Sequence, residues 1–401
     1  MSAVAELERV ADESPDGWRN ACLGDLCRIN IGGTPPRHKP EYWATNGDGH
    51  PWVAISDLRQ PVIVATKERI TDAGVANSNV KLVKAGTIMM SFKLTIGRVA
   101  VAGTDLFTNE AIAAFVPIKG IDTSFLPYWL SRIVEGADTD QAIKGVTLNK
   151  QKLAALSGPL PPLDEQRRIA EVLRSVDEAI AANEAALASC RELVGKLARD
   201  VTDSCEATTA MASLGKIVTG RTPSPKQADL WGGDLPFVTP GDLVAGNISV
   251  SDAPRTLVAG SGHGGTVLPA NSVLVTCIGS TVGKTAVARE RCVTNQQINA
   301  ICCPAQTAGF VYLACVAAYD TIVANAGKQA VPIINKSTFS AIEVPALSQA
   351  EMIEISAMVD AIDGEIVAAQ TSLDTLHRTK ANLMSDLLSG RVRVPENRKA
   401  L

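Results

Sequence analysis

From residue 163 onward the apolar positions fall into step. Ile169, Leu173, Val176, Ile180, Leu187, Cys190, Val194, Leu197 and Val201 alternate four- and three-residue spacings, with Asn183 filling the one missing step. This is the seam of a heptad repeat, and it predicts a helix that buries a narrow stripe against another helix. No proline occurs from 163 to 222, and Gly195 is the only glycine from 159 to 214. Asp164 is placed to cap the helix, with Glu165 and Glu171 near its positive end. A shift of 186 residues reproduces the seam as Ile355, Val359, Ile362, Ile366, Ala369, Leu373, Leu376, Lys380, Leu383 and Leu387. Two helices of about 38 residues, each roughly 55–60 Å long, are therefore expected.

Two such seams in one chain bury each other most simply. The first helix delivers the chain to the following segment through a short linker near 202–212. Copies related by an approximate two-fold axis then require the second helix to run back, which predicts an antiparallel coiled coil. In a symmetric register Asn183 faces Leu373 and Lys380 faces Val176. Polar residues in a seam cost stability and fix alignment, so these two would pin it.

Ahead of each helix the period changes. Runs at 87–90, 99–102 and 273–276 are rich in Val, Ile and Thr or Met and bounded by Gly, Pro and Asn, the pattern of short strands and turns. Short helices are expected between them, for instance over 123–133. These segments are also written twice. Thr108-Asn109-Glu110-Ala111-Ile112 recurs as Thr294-Asn295-Gln296-Gln297-Ile298, Ile96-Gly97-Arg98 as Val282-Gly283-Lys284, and Leu148-Asn149-Lys150 as Ile334-Asn335-Lys336, all at an offset of 186. Nearer the start the register drifts. Gly33-Thr34-Pro35-Pro36 is matched with Gly220-Arg221-Thr222-Pro223, Trp43 with Trp231, Pro51-Trp52-Val53 with Pro236-Phe237-Val238, and Asp57-Leu58 with Asp242-Leu243. The predicted fold class is α+β: two homologous mixed α/β lobes in tandem, each followed by a long helix, the helices pairing as an antiparallel coiled coil. The boundaries read as an acidic tail 1–16, lobe one 17–163, first helix 164–206, lobe two 207–345, second helix 346–392 and a tail 393–401.

Charge sharpens this division. The chain of 401 residues has a net charge of −4, which alone discourages a nucleic-acid partner. Its distribution does not: lobe one carries a balance of +4 and lobe two +2, while the first helix carries −4 and 346–401 carries −2. The nine cysteines are irregularly spaced and include the adjacent pair Cys302 and Cys303, so they read as small apolar residues of a reducing cytoplasm. No apolar run approaches the roughly 18 residues that cross a bilayer, and residues 1–15 lack a signal pattern.

Catalytic signatures are hard to find. Gly279-Ser280-Thr281-Val282-Gly283-Lys284-Thr285 has three residues between its glycines where a phosphate-cradling loop needs four, and reads as a turn between strands. His38, His50, His263 and His377 have no carboxylate or cysteine at metal-ligand spacing. No nucleophile elbow, kinase set or dinucleotide turn occurs, so the chain is expected to bear no cofactor. Trp43, Trp52 and Trp231 are expected in the core. A rod with a basic lobe at each end is mechanically a ruler. Base readout needs Arg, Lys, Asn, Gln, Ser or Thr on loops. The candidates in corresponding places are Arg37, His38 and Lys39, then Lys93 and Arg98, then Lys144 in lobe one. In lobe two they are Arg221 and Lys226, then Lys284, then Lys328 and Gln329.

Several motifs in fixed order resemble the specificity subunit of type I restriction–modification enzymes. They are Gly17-Trp18 ahead of Leu23-Gly24-Asp25-Leu26, the Gly33-Thr34-Pro35 turn, Ile96-Gly97-Arg98, Gly145-Val146-Thr147-Leu148-Asn149, and Leu160-Pro161-Pro162-Leu163-Asp164-Glu165-Gln166 leading through Ile169, Leu173, Asp177 and Ile180. The resemblance runs from about 17 to 392, although copy two has Val344-Pro345-Ala346-Leu347-Ser348-Gln349 where copy one has the Pro-Pro-Leu-Asp-Glu-Gln run. It implies two target recognition domains, each reading one half of a bipartite double-stranded DNA site. It also implies helices that set the gap and dock two methyltransferase subunits, with a restriction/translocase subunit joining them. S-adenosylmethionine, ATP and Mg would then be bound by those partners, and no membrane would be involved. The other reading of the same features is a coiled-coil scaffold with protein-binding lobes.

Overall fold

The computed structural model describes residues 15–45, 47–139, 149–224, 226–250, 253–260 and 265–395. The chain divides into two units, Met1–Ala179 with Leu376–Leu401, and Ile180–Thr375.

In the first unit a five-stranded sheet runs in the order Cys27–Ile31, Ile112–Pro117, Ile88–Ser91, Val99–Ala102, Val62–Ile63. Its pairs are antiparallel except the last. Successive strand side chains point to opposite faces, and here both faces are buried. Met89, Ile112 and Ala114 join a core with Val53 and Leu106, whereas Ile88, Met90 and Phe115 join one with Trp129 and Leu173. The first of these cores lies against a second sheet, ordered Trp43–Ala44, Glu68–Ile70, His50–Val53, Leu106–Thr108, Leu82–Val83. The other core lies against helices, among them Leu126–Thr139, which begins and ends later than the 123–133 read from sequence. The strand predicted over 99–102 is Val99–Ala102, and that over 87–90 is Ile88–Ser91.

The second unit repeats this plan. Its larger sheet is Lys216–Thr219, Ile298–Cys302, Ser272–Thr276, Thr285–Ala288, Ser249–Val250, and its smaller one Thr256–Leu257, Trp231–Val238, Val293–Thr294. The repeated motifs turn out to be local structural devices. Asn149 and Asn335 each cap a short helix, accepting the amides of Lys152 at 2.9 Å and Thr338 at 2.8 Å. Asn109 and Asn295 each fold a turn by accepting the amides of Ala111 and Gln297. Gly97 and Gly283 hold φ of +85° and +89°, which a side chain would oppose.

One sequence alignment is corrected. Gly32 and Gly220 donate to Ile112 and Ile298, and Gly33 and Arg221 donate to Thr108 and Thr294. The equivalent of Gly220-Arg221-Thr222-Pro223 is therefore Gly32-Gly33-Thr34-Pro35, one residue earlier than the motif suggested. The paired glycines made two registers look equally good, and only the hydrogen bonds distinguish them.

The long helices are Leu163–Ser204 and Gln349–Leu388, of 42 and 40 residues. The first begins one residue before the expected cap: Gln166 donates to the Pro162 carbonyl, so Asp164 lies inside the first turn. The second begins with a capping box, in which Ser348 and Glu351 each receive the other's amide N–H. In the first unit Ile169 and Leu173 share a core with Leu387 and Leu388, and Lys380 meets Asp177. Numbers climb on one helix as they fall on the other, so the pairing there is antiparallel. Most seam positions are buried. Val176, Asn183, Cys190, Leu197, Ile355, Leu376, Lys380 and Leu383 are half-buried. Burial also reaches Ala198 and Ser356, the second because its helix packs on lobe two there. A Cβ on Gly309 would overlap the Ser356 backbone, and the Ser356 hydroxyl accepts the Phe310 amide at 2.9 Å.

Glu165 and Gln166 are both buried. Gln166 accepts the Asp122 amide and donates to the Gly120 and Pro161 carbonyls, so the start of the first helix is stitched to lobe one. Glu165 accepts from the Trp18 indole and from Arg393. Asp177 and its equivalent at +186, Asp363, also tie helix to lobe. The first accepts from Tyr128 at 2.7 Å, the second from Ser249 at 2.9 Å and Arg289 at 2.6 Å.

Cys27, Cys277, Cys292 and Cys315 are buried, but Cys302 and Cys303 are only half-buried; burial still pushes the Cys303 thiol up to about 11. Among the described residues no single helix is long and apolar enough to cross a membrane. A bent pair, Ala305–Ala317 with Tyr319–Asn325, passes by length and composition, yet Phe310, Val311 and Leu313 in it belong to the buried interior.

Candidate nucleic-acid interface

In lobe one three loops converge at one end of the sheets. The first follows Cys27–Ile31 and is held down by the Trp52 indole, which donates to the Gly33 carbonyl at 3.0 Å, and by the Trp43 indole, which donates to Pro36 at 3.4 Å. Those two rings meet edge to face, with centroids 5.1 Å apart and planes at 89°. Arg37 lies on them, its guanidinium carbon 3.9 Å from the Trp43 centroid and 5.0 Å from that of Trp52. It is also forked onto both carboxylate oxygens of Glu68. Trp52 is buried, as expected of a core residue, whereas Trp43 is half-buried beneath the guanidinium.

The second loop is the turn Asn109–Glu110 and the third the turn after Ile88–Ser91. The Thr34 hydroxyl donates to the Glu110 carboxylate. That hydrogen bond is the main cause holding the Glu110 carboxyl below its usual range, with the charges of Lys93 and Arg37 adding to it. Arg98 is exposed on the third loop, whose tip is Leu94, 94% exposed with φ of +61°. His38 and Lys39 are exposed beside Arg37, Lys39 lying 3.7 Å from Glu41. Lys144 lies outside the described residues.

Lobe two builds the same frame with different charges. Thr222 donates to Gln296 at 2.6 Å, as Thr34 does to Glu110. Trp231 donates to the Ser224 carbonyl at 3.4 Å and meets Phe237 edge to face at 5.2 Å and 85°. Arg221 and Lys226 are exposed on this loop. Lys328 and Gln329 are exposed on a segment that flanks the turn after Ser272–Thr276, since Gly279 donates to Pro332 and Ile278 bridges to Ile333. Lys284 is turned inward, its ammonium donating to the Leu243 carbonyl at 3.1 Å. The cation resting on the aromatic pair is Arg255, 5.9 Å from the Trp231 centroid and 5.1 Å from that of Phe237. Sequence reasoning missed it. The signal available was the aromatic match of Trp43 with Trp231 and Trp52 with Phe237, which marks a frame shared by the two copies but not the residue lying on it.

Among the described residues no group of three His, Cys, Asp or Glu side chains is placed to hold a metal. His50 pairs instead with a single carboxylate, Asp72, at 2.7 Å. What both lobes offer is an exposed loop end with cations, hydroxyls and amides over a rigid aromatic base.

A family described as type I restriction modification DNA specificity domain matches residues 15–189 and again 208–382. The chain belongs to that family. Both of its specificity domains carry the loop end described above, and each match runs from a lobe into its long helix. The type I restriction enzyme MjaIX specificity subunit of Methanocaldococcus jannaschii is 28% identical over 177 residues, 41% of this chain and 39% of that protein. The EcoR124I/EcoR124II specificity subunit of Escherichia coli is 27% identical over 169 residues, 40% of each. The matched stretch thus spans about two fifths of these curated relatives. The crystal structure of the type I restriction–modification S subunit from M. genitalium superposes with a TM-score of 0.64 at 15% identity, covering 94% of this chain and 97% of that one. The fold of this specificity-domain protein is accordingly shared along almost its whole length.

Proposed function

We propose that this chain is the non-catalytic specificity subunit of a type I restriction–modification complex. Each lobe reads one half of a bipartite, asymmetric double-stranded DNA site. The paired helices set the gap between halves and dock two methyltransferase subunits, and a restriction/translocase subunit joins that assembly. S-adenosylmethionine, ATP and Mg are bound by those partners, and the complex works in the cytoplasm. The observation that carries this reading is the doubled DNA specificity domain, each copy presenting polar side chains on an aromatic-backed loop end. Direct readout needs such donors at base edges and cations at phosphates.

The test is a modified-base map of DNA from cells expressing the chain with its methyltransferase subunit, and from cells expressing that subunit alone. A split motif methylated only when the chain is present is the expected result. A continuous motif would sink the division of labour between lobes. No chain-dependent methylation, with a partner active on another specificity subunit, would overturn the reading.

A further inference from the structure

The two lobes hold the same aromatic seat but charge it from different segments, lobe one from the loop after Cys27–Ile31 and lobe two from the residue ahead of Thr256–Leu257. In lobe one Pro51 pairs with Arg69 and Trp52 with Glu68; in lobe two Pro236 pairs with Thr256, and Phe237 donates to the Arg255 carbonyl at 2.9 Å. Arg255 therefore stands where lobe one has Glu68. The first loop is exchanged in the complementary sense. The residue that follows in sequence the acceptor of the tryptophan N–H is arginine in lobe one (Pro36-Arg37) and proline in lobe two (Ser224-Pro225). Each seat thus keeps one guanidinium on its aromatic pair. In lobe one that guanidinium is neutralised by the forked pair with Glu68, whereas Arg255 is exposed and makes no ion pair among the described residues.

We propose that the aromatic seat is a DNA-phosphate contact, carried in lobe two by Arg255, and that in lobe one Glu68 holds the equivalent cation, Arg37, in reserve. The proposal rests on the DNA reading above. A guanidinium lying on aromatic rings is oriented at little entropic cost and keeps its edge donors for a bidentate acceptor. Phosphate is the acceptor chosen because the seat is present in both lobes. Base-reading groups must differ wherever two half-sites differ, while a cation seat retained in both suits what every duplex has in common.

The experiment is fluorescence anisotropy of two labelled duplexes of unrelated sequence, titrated with the full chain in complex with its methyltransferase subunit between 50 and 200 mM salt. Arg255→Gln is expected to weaken both duplexes several-fold and to lower the slope of log affinity against log salt by about 0.9, the loss of one phosphate contact. Glu68→Gln is expected to act in the opposite direction, steepening the slope by up to about the same amount. Both sites are at the surface, and an unchanged melting temperature confirms that folding is intact. An unchanged slope in Arg255→Gln while the parent complex binds DNA overturns the proposal and leaves the DNA reading standing. Weakening of one duplex only makes Arg255 a base reader and overturns it too. A parent complex with no salt-dependent binding takes down the reading and the proposal together.

Discussion

The ammonium of Lys380 lies 2.7 Å from the carboxylate of Asp177, so the one charge in the second helix's seam is answered from the first helix. Asp177 also accepts the Tyr128 hydroxyl at 2.7 Å; burial first, and this hydrogen bond second, push that phenol above its ordinary range. The carboxylate therefore serves two donors and the lysine one acceptor. Asp177→Ala is expected to cost about 1–2 kcal/mol, since it strands a half-buried hydroxyl and a seam ammonium. Lys380→Met is expected to change stability by less than about 0.5 kcal/mol or to raise it, because an apolar seam residue replaces a partly screened pair. Calorimetric melts of the two variants measure the difference, and equal losses would contradict this account.

Glu165 supplies a pH prediction. Burial opposes its charge, but hydrogen bonds from Arg393 and Trp18, with the Arg393 charge, outweigh burial and hold its carboxyl below the usual glutamate range. A carboxyl lowered by folding adds stability above its unfolded value and loses it as pH falls through its folded one. Comparing the parent chain with Glu165→Gln, the stability gap should be full at pH 7 and close as pH drops below about 4. Arg393→Ala should cost about 1–3 kcal/mol at neutral pH by leaving this buried carboxylate short of a partner. A gap independent of pH from 7 to 3 would show that the ion pair contributes nothing.

The helices were legible because a heptad seam repeats one physical demand every three or four residues; Lys380 meets Asp177, the neighbour of the Val176 that the symmetric register set against it. Strands such as Val99–Ala102 were legible from short apolar runs between glycines. Other features had no such periodicity. The Glu165–Arg393 pair joins residues 228 apart, with no sequence signal linking them. The exchange of Glu68 for Arg255 changes one residue at the start of a short strand segment, just ahead of Thr256–Leu257 in lobe two, and its meaning appears only once the aromatic pair beneath is placed. Ser348 and Glu351, by contrast, stand three residues apart ahead of an apolar-periodic run, a capping box readable from the sequence itself.

The repeated asparagines can be tested as caps. Asn149→Ala and Asn335→Ala are each expected to cost about 1 kcal/mol, while Asp at either site, which can accept the same amide, should cost far less. Melts should show the loss confined to the transition of the unit that carries the substitution. Full stability in the alanine variants, with DNA binding lost, would make these residues part of the readout rather than of the frame.

Leu94 offers a last test of whether an exposed loop carries strain. Its φ of +61° puts a branched side chain in the left-handed region, and at 94% exposure it gains almost no burial in return. The left-handed conformation costs an ordinary L-residue about 1–2 kcal/mol, and asparagine tolerates it better because its short amide bonds locally. The lobe-two equivalent at +186 is Ser280, beside Gly279 with φ of +101°, so there the turn's unusual backbone falls on glycine. Leu94→Asn should therefore stabilise the first unit by up to about 1 kcal/mol. An increase in stability accompanied by weaker DNA binding would mean that the strain is retained for the apolar side chain's contact with the duplex. An increase with binding unchanged would make Leu94 a conformational cost without a role in recognition, and a decrease would contradict the strained geometry itself.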